Sequence, residues 1–227
     1  LYRNKITDKG AKAIAESDVL SNLLEVNLSF NKVGDVGALS LTELPSLKKL
    51  KKINLAYNQL SQIGNEALAR FNLIKNIEVL NLSEKLNEVG SLIYGDSGVM
   101  VFLASPYTFK LETLDLSESN LTDRSAIAIS QSKKFTRLLQ LNLSGNRITD
   151  LGASALANSK YFKQLKQLNL NFNSIGDLGA SSIAGSPYLT NLESLKLGQN
   201  RVSKAGAKAL KNSNTLTNLV HPIFGFY

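Results

Sequence analysis

The chain has no cysteine and no tryptophan, one histidine and one methionine. Without cysteine there is no disulfide framework, no thiol nucleophile and no thiolate metal ligand. The lone imidazole, His221, cannot build a histidine-rich metal site and leaves one candidate general base. No apolar run approaches the roughly 20 residues that a membrane-crossing helix needs, so no membrane partner is expected. No phosphate-cradling glycine loop is present either. What remains is a chain of 227 residues, 43% hydrophobic, enough to bury a core. Its 26 Lys+Arg outnumber 18 Asp+Glu, giving +8 and a pI near 9.5. Taken alone, that excess points towards nucleic acid.

A strong bias towards Leu and Asn directs attention to internal repeats. Asn4, Asn31 and Asn58 are spaced by 27 residues, as are Asn146, Asn173 and Asn200. One frame surrounds them: Leu138-x-x-Leu141-x-Leu143-x-x-Asn146-x-Ile148, then Leu165-x-x-Leu168-x-Leu170-x-x-Asn173-x-Ile175, then Leu192-x-x-Leu195-x-Leu197-x-x-Asn200-x-Val202. The same frame holds around Val26 and Leu28, and around Ile53 and Leu55.

The L-x-L alternation predicts a short strand with Leu inward and the middle residue outward. After the Asn, segments such as Thr149-Asp150-Leu151-Gly152-Ala153 open with a helix-start signal and continue with helix formers. A glycine column (Gly10, Gly37, Gly64, Gly98, Gly152, Gly179, Gly206, with Ser125 the exception) predicts close approach between neighbouring helices. Phe135 and Phe162 share a phase with Leu20, Leu47, Ile74, Leu189 and Leu216 and are expected between helix and sheet. The Asn column is expected to satisfy backbone groups where the chain leaves the sheet. Stacked units of this kind form an α/β solenoid, with a parallel sheet inside the curve and helices outside.

The 27-residue helical unit, with its I-T/G-D-x-G-A segment, resembles the ribonuclease-inhibitor-like class of leucine-rich repeats over essentially the whole chain. The resemblance implies a leucine-rich-repeat horseshoe whose concave face binds another protein, usually inside the cell. The Cys-rich positions of ribonuclease inhibitors themselves are absent. By composition the chain is also similar to repeat domains of effectors secreted by intracellular bacterial pathogens, which would place it in the host cytosol. Cys-bearing caps of secreted repeats are missing, and the Asn-x-Ser sequons fall in expected strands. Both features favour a cytoplasmic working site. The organisation expected is a single domain over 1–227, of about eight repeats, with no polar capping unit at either end and hence a fragment of a longer chain.

One repeat breaks the frame. The strand at Leu111-x-x-Leu114 begins 34 residues after Ile77-x-x-Leu80, so seven extra residues lie within 83–93. Either Lys85 replaces the ladder Asn there, or Asn87 preserves it by a two-residue slip. Insertions in solenoids map to loops on one face, often the binding face, although a longer loop also costs little.

On the concave face the middle strand positions read Asn27, Asn54, Asn81, Asp115, Asn142, Asn169 and Lys196. A column nearer the strand ends reads Phe30, Tyr57, Glu84, Glu118, Gly145, Phe172 and Gln199. Aromatic anchors on a polar surface suit a protein interface. Glu78 and Glu112 share one column, Glu84 and Glu118 another, and Asp115 lies between them, with Glu88 nearby. Strands about 4.8 Å apart would crowd these carboxylates, which then need a reason or a counter-ion. They mark an acidic patch for a basic surface on a partner, such as an enzyme held in check. The partner-binding set is therefore Phe30, Tyr57, Glu78, Glu84, Glu112, Asp115, Glu118, Asn142, Asn169 and Phe172.

A carboxylate pair about 5 Å apart would suit glycoside hydrolysis, but an open sheet face is a poor place to raise a carboxyl pKa. No catalytic residue, metal or cofactor is assigned. The basic residues, with clusters at Lys48, Lys49, Lys51 and Lys52 and at Lys133, Lys134 and Arg137, precede strands. There they complement helix C-termini and line the outer rim. A nucleic-acid-binding scaffold using this basic rim is the alternative, but aromatics are not interleaved with the cations as such a groove requires.

Overall fold

Each L-x-L segment folds as a three-residue strand, and each segment after the ladder Asn as a helix of two to three turns. The computed structural model describes residues 1–43, 47–70, 75–84, 95–107 and 109–220. The chain divides into two units, Leu1–Leu111 and Glu112–Tyr227. In the first, α1 (Asp8–Glu16), β1 (Glu25–Asn27), α2 (Asp35–Glu43), β2 (Lys52–Asn54), α3 (Gln62–Arg70), β3 (Val79–Asn81) and α4 (Gly95–Leu103) alternate. The second continues with β4 (Thr113–Asp115), α5 (Asp123–Gln131), β5 (Gln140–Asn142), α6 (Asp150–Ala157), β6 (Gln167–Asn169), α7 (Asp177–Ala184), β7 (Ser194–Lys196) and α8 (Lys204–Lys211).

The strands pair in parallel and in repeat register. Val26 faces Ile53 and Ile53 faces Leu80 in the first unit. Leu114, Leu141, Leu168 and Leu195 follow one another in the second. This α/β leucine-rich-repeat architecture is the one expected from the periodicity. The central strand residues are buried, as are the helix residues that face them, such as Ala153 and Leu156. Phe135 and Phe162 are fully buried in short 3-10 turns that return the chain to the sheet (Lys133–Phe135 and Lys160–Phe162). Leu47, Leu189 and Leu216 are buried in the same phase, and Ile74 lies outside the described residues. So do Lys85, Asn87 and Glu88, with both candidate placements of the ladder Asn in the insertion, and His221.

The Asn column does the backbone duty expected of it. Asn58 accepts the N–H of Val33 at 3.0 Å and donates to the carbonyls of Leu28 and Leu55, each at 2.9 Å. Asn146, Asn173 and Asn200 repeat this pattern. Ser119, in the Asn phase, is fully buried and its hydroxyl donates to the Ser117 carbonyl, while Asn146 takes up the Ser119 N–H at 3.1 Å as well as that of Leu121.

A second ladder was not expected. The Asp at each helix start serves the helix of the next repeat. Asp123 accepts from the Thr149 N–H (2.8 Å), the Thr149 hydroxyl (2.6 Å) and the Gly152 N–H (2.9 Å). Asp35 and Asp177 accept the same three groups one repeat onward, and Asp8 and Asp150 the two backbone N–H groups, since Gly34 and Gly176 carry no hydroxyl. The carboxylate offers charge to the positive end of the following helix. The glycine column follows from this contact as much as from helix approach. A Cβ on Gly152 would lie 2.5 Å from Asp123 Oδ1 and 2.9 Å from Ala126 Cβ. At Asp177 the Ser203 hydroxyl, with the N–H groups of Ser203 and Gly206, holds the carboxyl below its ordinary pKa against a smaller opposing desolvation.

Candidate functional site

Strand side chains that point away from the helices form an open face, and its amide column has one fixed orientation. The Asn27 carbonyl oxygen accepts from the N–H and hydroxyl of Ser29 (3.0 and 2.6 Å). Asn54 accepts from Ala56, Asn81 from Ser83, Asn142 from Ser144 and Asn169 from Asn171 in the same way. A backbone N–H only donates, so each amide must turn its oxygen inward. The NH2 ends are thereby turned outward, and that of Asn142 is taken up by Asp115. Asp115 occupies the same turn, its Oδ1 accepting from Ser117 N–H and hydroxyl at 2.9 and 2.7 Å.

The neighbouring column is a left-handed turn. Phe30 (φ 57°), Tyr57 (53°), Glu118 (56°), Phe172 (55°) and Gln199 (56°) all occupy it, with Arg3 (56°) in the same phase and Gly145 (68°) the one glycine. Glycine fits this conformation without strain, whereas a bulky residue there is a genuine outlier costing roughly 1 kcal/mol or more. The aromatic side chains kept at that cost are not buried: Phe30 is 41% exposed and Phe172 61%. In the first unit Phe30 stacks on Tyr57 (centroids 4.2 Å, 19°) and Tyr2 meets Phe30 edge-on at 5.4 Å. This ring ladder on the sheet edge unites the expected anchors Phe30 and Tyr57 and adds Tyr2, which the repeat frame did not single out.

The carboxylates fall into two groups. Glu78 and Glu84 lie in the first unit, and Glu112, Asp115 and Glu118 in the second. Several have the compensation that crowding demands. Glu78 pairs with Lys51 at 2.8 Å, and Glu112 with Arg137 at 3.4 Å. Asp115 Oδ2 accepts from the Asn142 amide at 3.0 Å. Glu118 lies against Gly145, whose added Cβ would meet Glu118 Cγ at 2.8 Å. Glu84 and Glu118 are half-buried.

Lys51, Arg137 and Lys166 precede strands as expected, but there, like Lys52 at the start of β2, they pair with acids of the adjacent repeat. Lys52 pairs with Glu25 at 3.4 Å and Lys166 with Glu193 at 2.8 Å. The 27-residue separation of Lys51 from Glu78 and of Lys166 from Glu193 was a readable signal of these pairs. Lys134 has its pKa lowered by burial and by Lys133 beside it.

Among the described residues, no group of His, Asp or Glu is placed to hold a metal ion, and no helix is long and apolar enough to cross a membrane. The open face of β4–β7 holds a shallow cavity of ≈ 210 Å³, lined by Asp115, Gln140, Asn142, Gln167, Asn169 and Lys196 among others.

Family models for leucine-rich repeats match 136–184 in one form, and 1–15, 19–41, 109–130 and 188–211 in another. No curated protein matches the chain. Among solved structures, a plant peptide hormone receptor, RGFR1 in complex with RGF2, superimposes with a TM-score of 0.50 at 18% identity, over 97% of this chain and 34% of that one. A TDR receptor gives 0.46 at 18% identity, over 84% of this chain and 28% of that one. The chain thus spans about a third of the length of these receptors or less. At this identity the likeness is one of fold.

Proposed function

From the premise that the chain belongs to the leucine-rich-repeat proteins, we propose that it is a non-catalytic module binding a protein partner on the open, concave face of its strands. Leucine-rich repeats generally mediate protein–protein interaction, and one structural neighbour is a receptor in complex with a peptide hormone. The observation that carries the reading is the left-handed column. Exposed Phe30 and Phe172, with Tyr57, occupy turns where Gly145 shows glycine to be accommodated. Backbone strain held under exposed aromatic side chains points to what those side chains touch. In the second unit Asn142, Asn169, Glu112, Asp115 and Glu118 supply polar groups beside Phe172, and in the first unit Glu78 and Glu84 do so beside Phe30 and Tyr57. The partner class proposed is a protein, with an enzyme bound and held inactive as the extension suited to an effector in a host cytosol. Nucleic acid is disfavoured, because Lys51, Lys52, Arg137 and Lys166 stand in ion pairs.

The test is a Phe172→Gly variant, alongside Phe30→Gly, compared with the unaltered chain in affinity capture from cytosolic extract with mass spectrometry. Glycine relieves the turn, so thermal stability is retained or rises. A protein captured by the unaltered chain should be lost or weakened about tenfold, as for an interface anchor. A captured protein held equally by both variants overturns the reading.

A further inference from the structure

The open face of the second unit changes chemistry from one edge to the other. At β4, Asp115 is an acceptor already closed: Oδ1 is held by Ser117 and Oδ2 by the Asn142 amide. Asn142 thereby turns its NH2 group towards β4, its oxygen being held by Ser144. Asn169 has its oxygen held by Asn171 in the same way, but its NH2 group has no acceptor among the described residues. Beside it, in register on β7, the amide column ends in Lys196, an exposed ammonium without a carboxylate at ion-pair distance among the described residues. Gln167 adds a further amide to the same cavity. This edge of the face therefore offers the Asn169 NH2 group and one positive charge side by side, with the Asn169 oxygen and both Asp115 oxygens committed internally.

An amide NH2 and an ammonium on adjacent strands, about 4.8 Å apart, can bind the two oxygens of one carboxylate. We propose that this face takes an extended, acidic polypeptide segment of the partner laid across β4–β7, with an Asp or Glu side chain docked between Asn169 and Lys196. The proposal rests on the interface reading above and deepens it by naming the partner's chemistry. Asp115 sets the direction, because it repels a carboxylate at the β4 end and leaves the β7 end as the acidic site. The partner charge is thus opposite to the one that the Glu and Asp columns suggest in sequence. The reason is that Glu112 already has its cation in Arg137 and Asp115 its donors in Ser117 and Asn142.

The probes are a short peptide of alternating Glu and Ser, its Lys and Ser counterpart, and an oligouridylate, each titrated into the isotope-labelled chain at low salt. The Glu/Ser peptide should shift the side-chain amide resonances of Gln167 and Asn169. Its affinity should fall about tenfold in Lys196→Gln and rise in Asp115→Asn, a variant that restores the usual occupant of the column and so keeps the fold. The inference is overturned if the Lys/Ser peptide shifts those amides, if the oligouridylate binds them as well as the Glu/Ser peptide, or if Lys196→Gln binds the Glu/Ser peptide undiminished. A captured partner lost in Phe172→Gly but indifferent to Lys196→Gln would overturn the acidic segment and leave the interface standing.

Discussion

Asp123, the first residue of α5, accepts the backbone N–H of Gly152 in α6 at 2.9 Å, so the helix of one repeat is started by the carboxylate of the repeat before it. Thr149, the residue preceding α6, gives the same carboxylate both its N–H and its hydroxyl. Three donors at a helix start, which would otherwise face water or go unpaired, converge on one side chain.

Replacing Asp123 with Ala removes all three acceptor contacts and leaves the Thr149 side chain to cap α6 alone, through Leu151 N–H. The expected loss is about 1–2 kcal/mol, the usual worth of a cap. Urea unfolding of the variant beside the unaltered chain measures it, and Asp123→Asn should recover part of it.

At Gly179 the added methyl of an alanine would sit 2.7 Å from Asp150 Oδ1 and 2.7 Å from Ile175 Cγ2. Both neighbours are held, the first by its bonds to Gly176 and Gly179 and the second by full burial. Gly179→Ala should therefore destabilise by about 1–3 kcal/mol through overpacking, despite the better helix propensity of alanine. A lowered thermal midpoint is the readout.

Asn146 is buried and serves five backbone groups: the N–H of Ser119 and Leu121, and the carbonyls of Leu116, Leu143 and Ser144. Asn146→Leu would strand them in an apolar setting, and the expected loss is at least about 3 kcal/mol. Hydrogen exchange should show the loss first at Ser119 and Leu121, whose N–H groups lose their acceptor.

The lowered pKa of Asp177 predicts acid sensitivity for α8. A carboxyl held below its unfolded value contributes stability that is present above that value and lost as pH falls through the folded one. Anchorage of α8 should weaken as pH drops below about 4. Hydrogen exchange of Gly206 and Ala207 across that range is the measurement, and Asp177→Asn should flatten the pH dependence specific to this helix.

The fold was legible because the repeat states its geometry in residue types. Leu141 and Leu143 alternate as a strand must, and Asn146 is the residue able to give and take at the point where the strand ends. The Asp ladder was not legible in the same way. Asp123 sits where any helix-start acid would, and only the superposition of one repeat on the next shows that its partner is Gly152, 29 residues on. The ion pairs were in principle readable, since Lys51 and Glu78 stand one period apart. Like charges in one column drew attention to repulsion and away from the opposite charges beside them. The left-handed turn at Phe30 and Phe172 had a single clue, Gly145 in the same phase, and one glycine does not declare a backbone conformation.

The two ladders run in opposite senses: Asn173 closes the repeat before it by accepting from Ile148, while Asp150 opens the repeat after it at Gly179. Excision of one whole period, residues 150–176, would join Thr149 to Asp177 and present Asp123 with Gly179, and Ile148 with Asn200. The ladder bonds lost at the seam find equivalent partners, while Glu193 would exchange Lys166 for Leu139. A cut of another length at this seam would leave a carboxylate and an amide facing the wrong atoms. Within the regular repeats, length can therefore change in quanta of 27 residues with both ladders kept, whereas the 34-residue spacing around the insertion stands outside that rule.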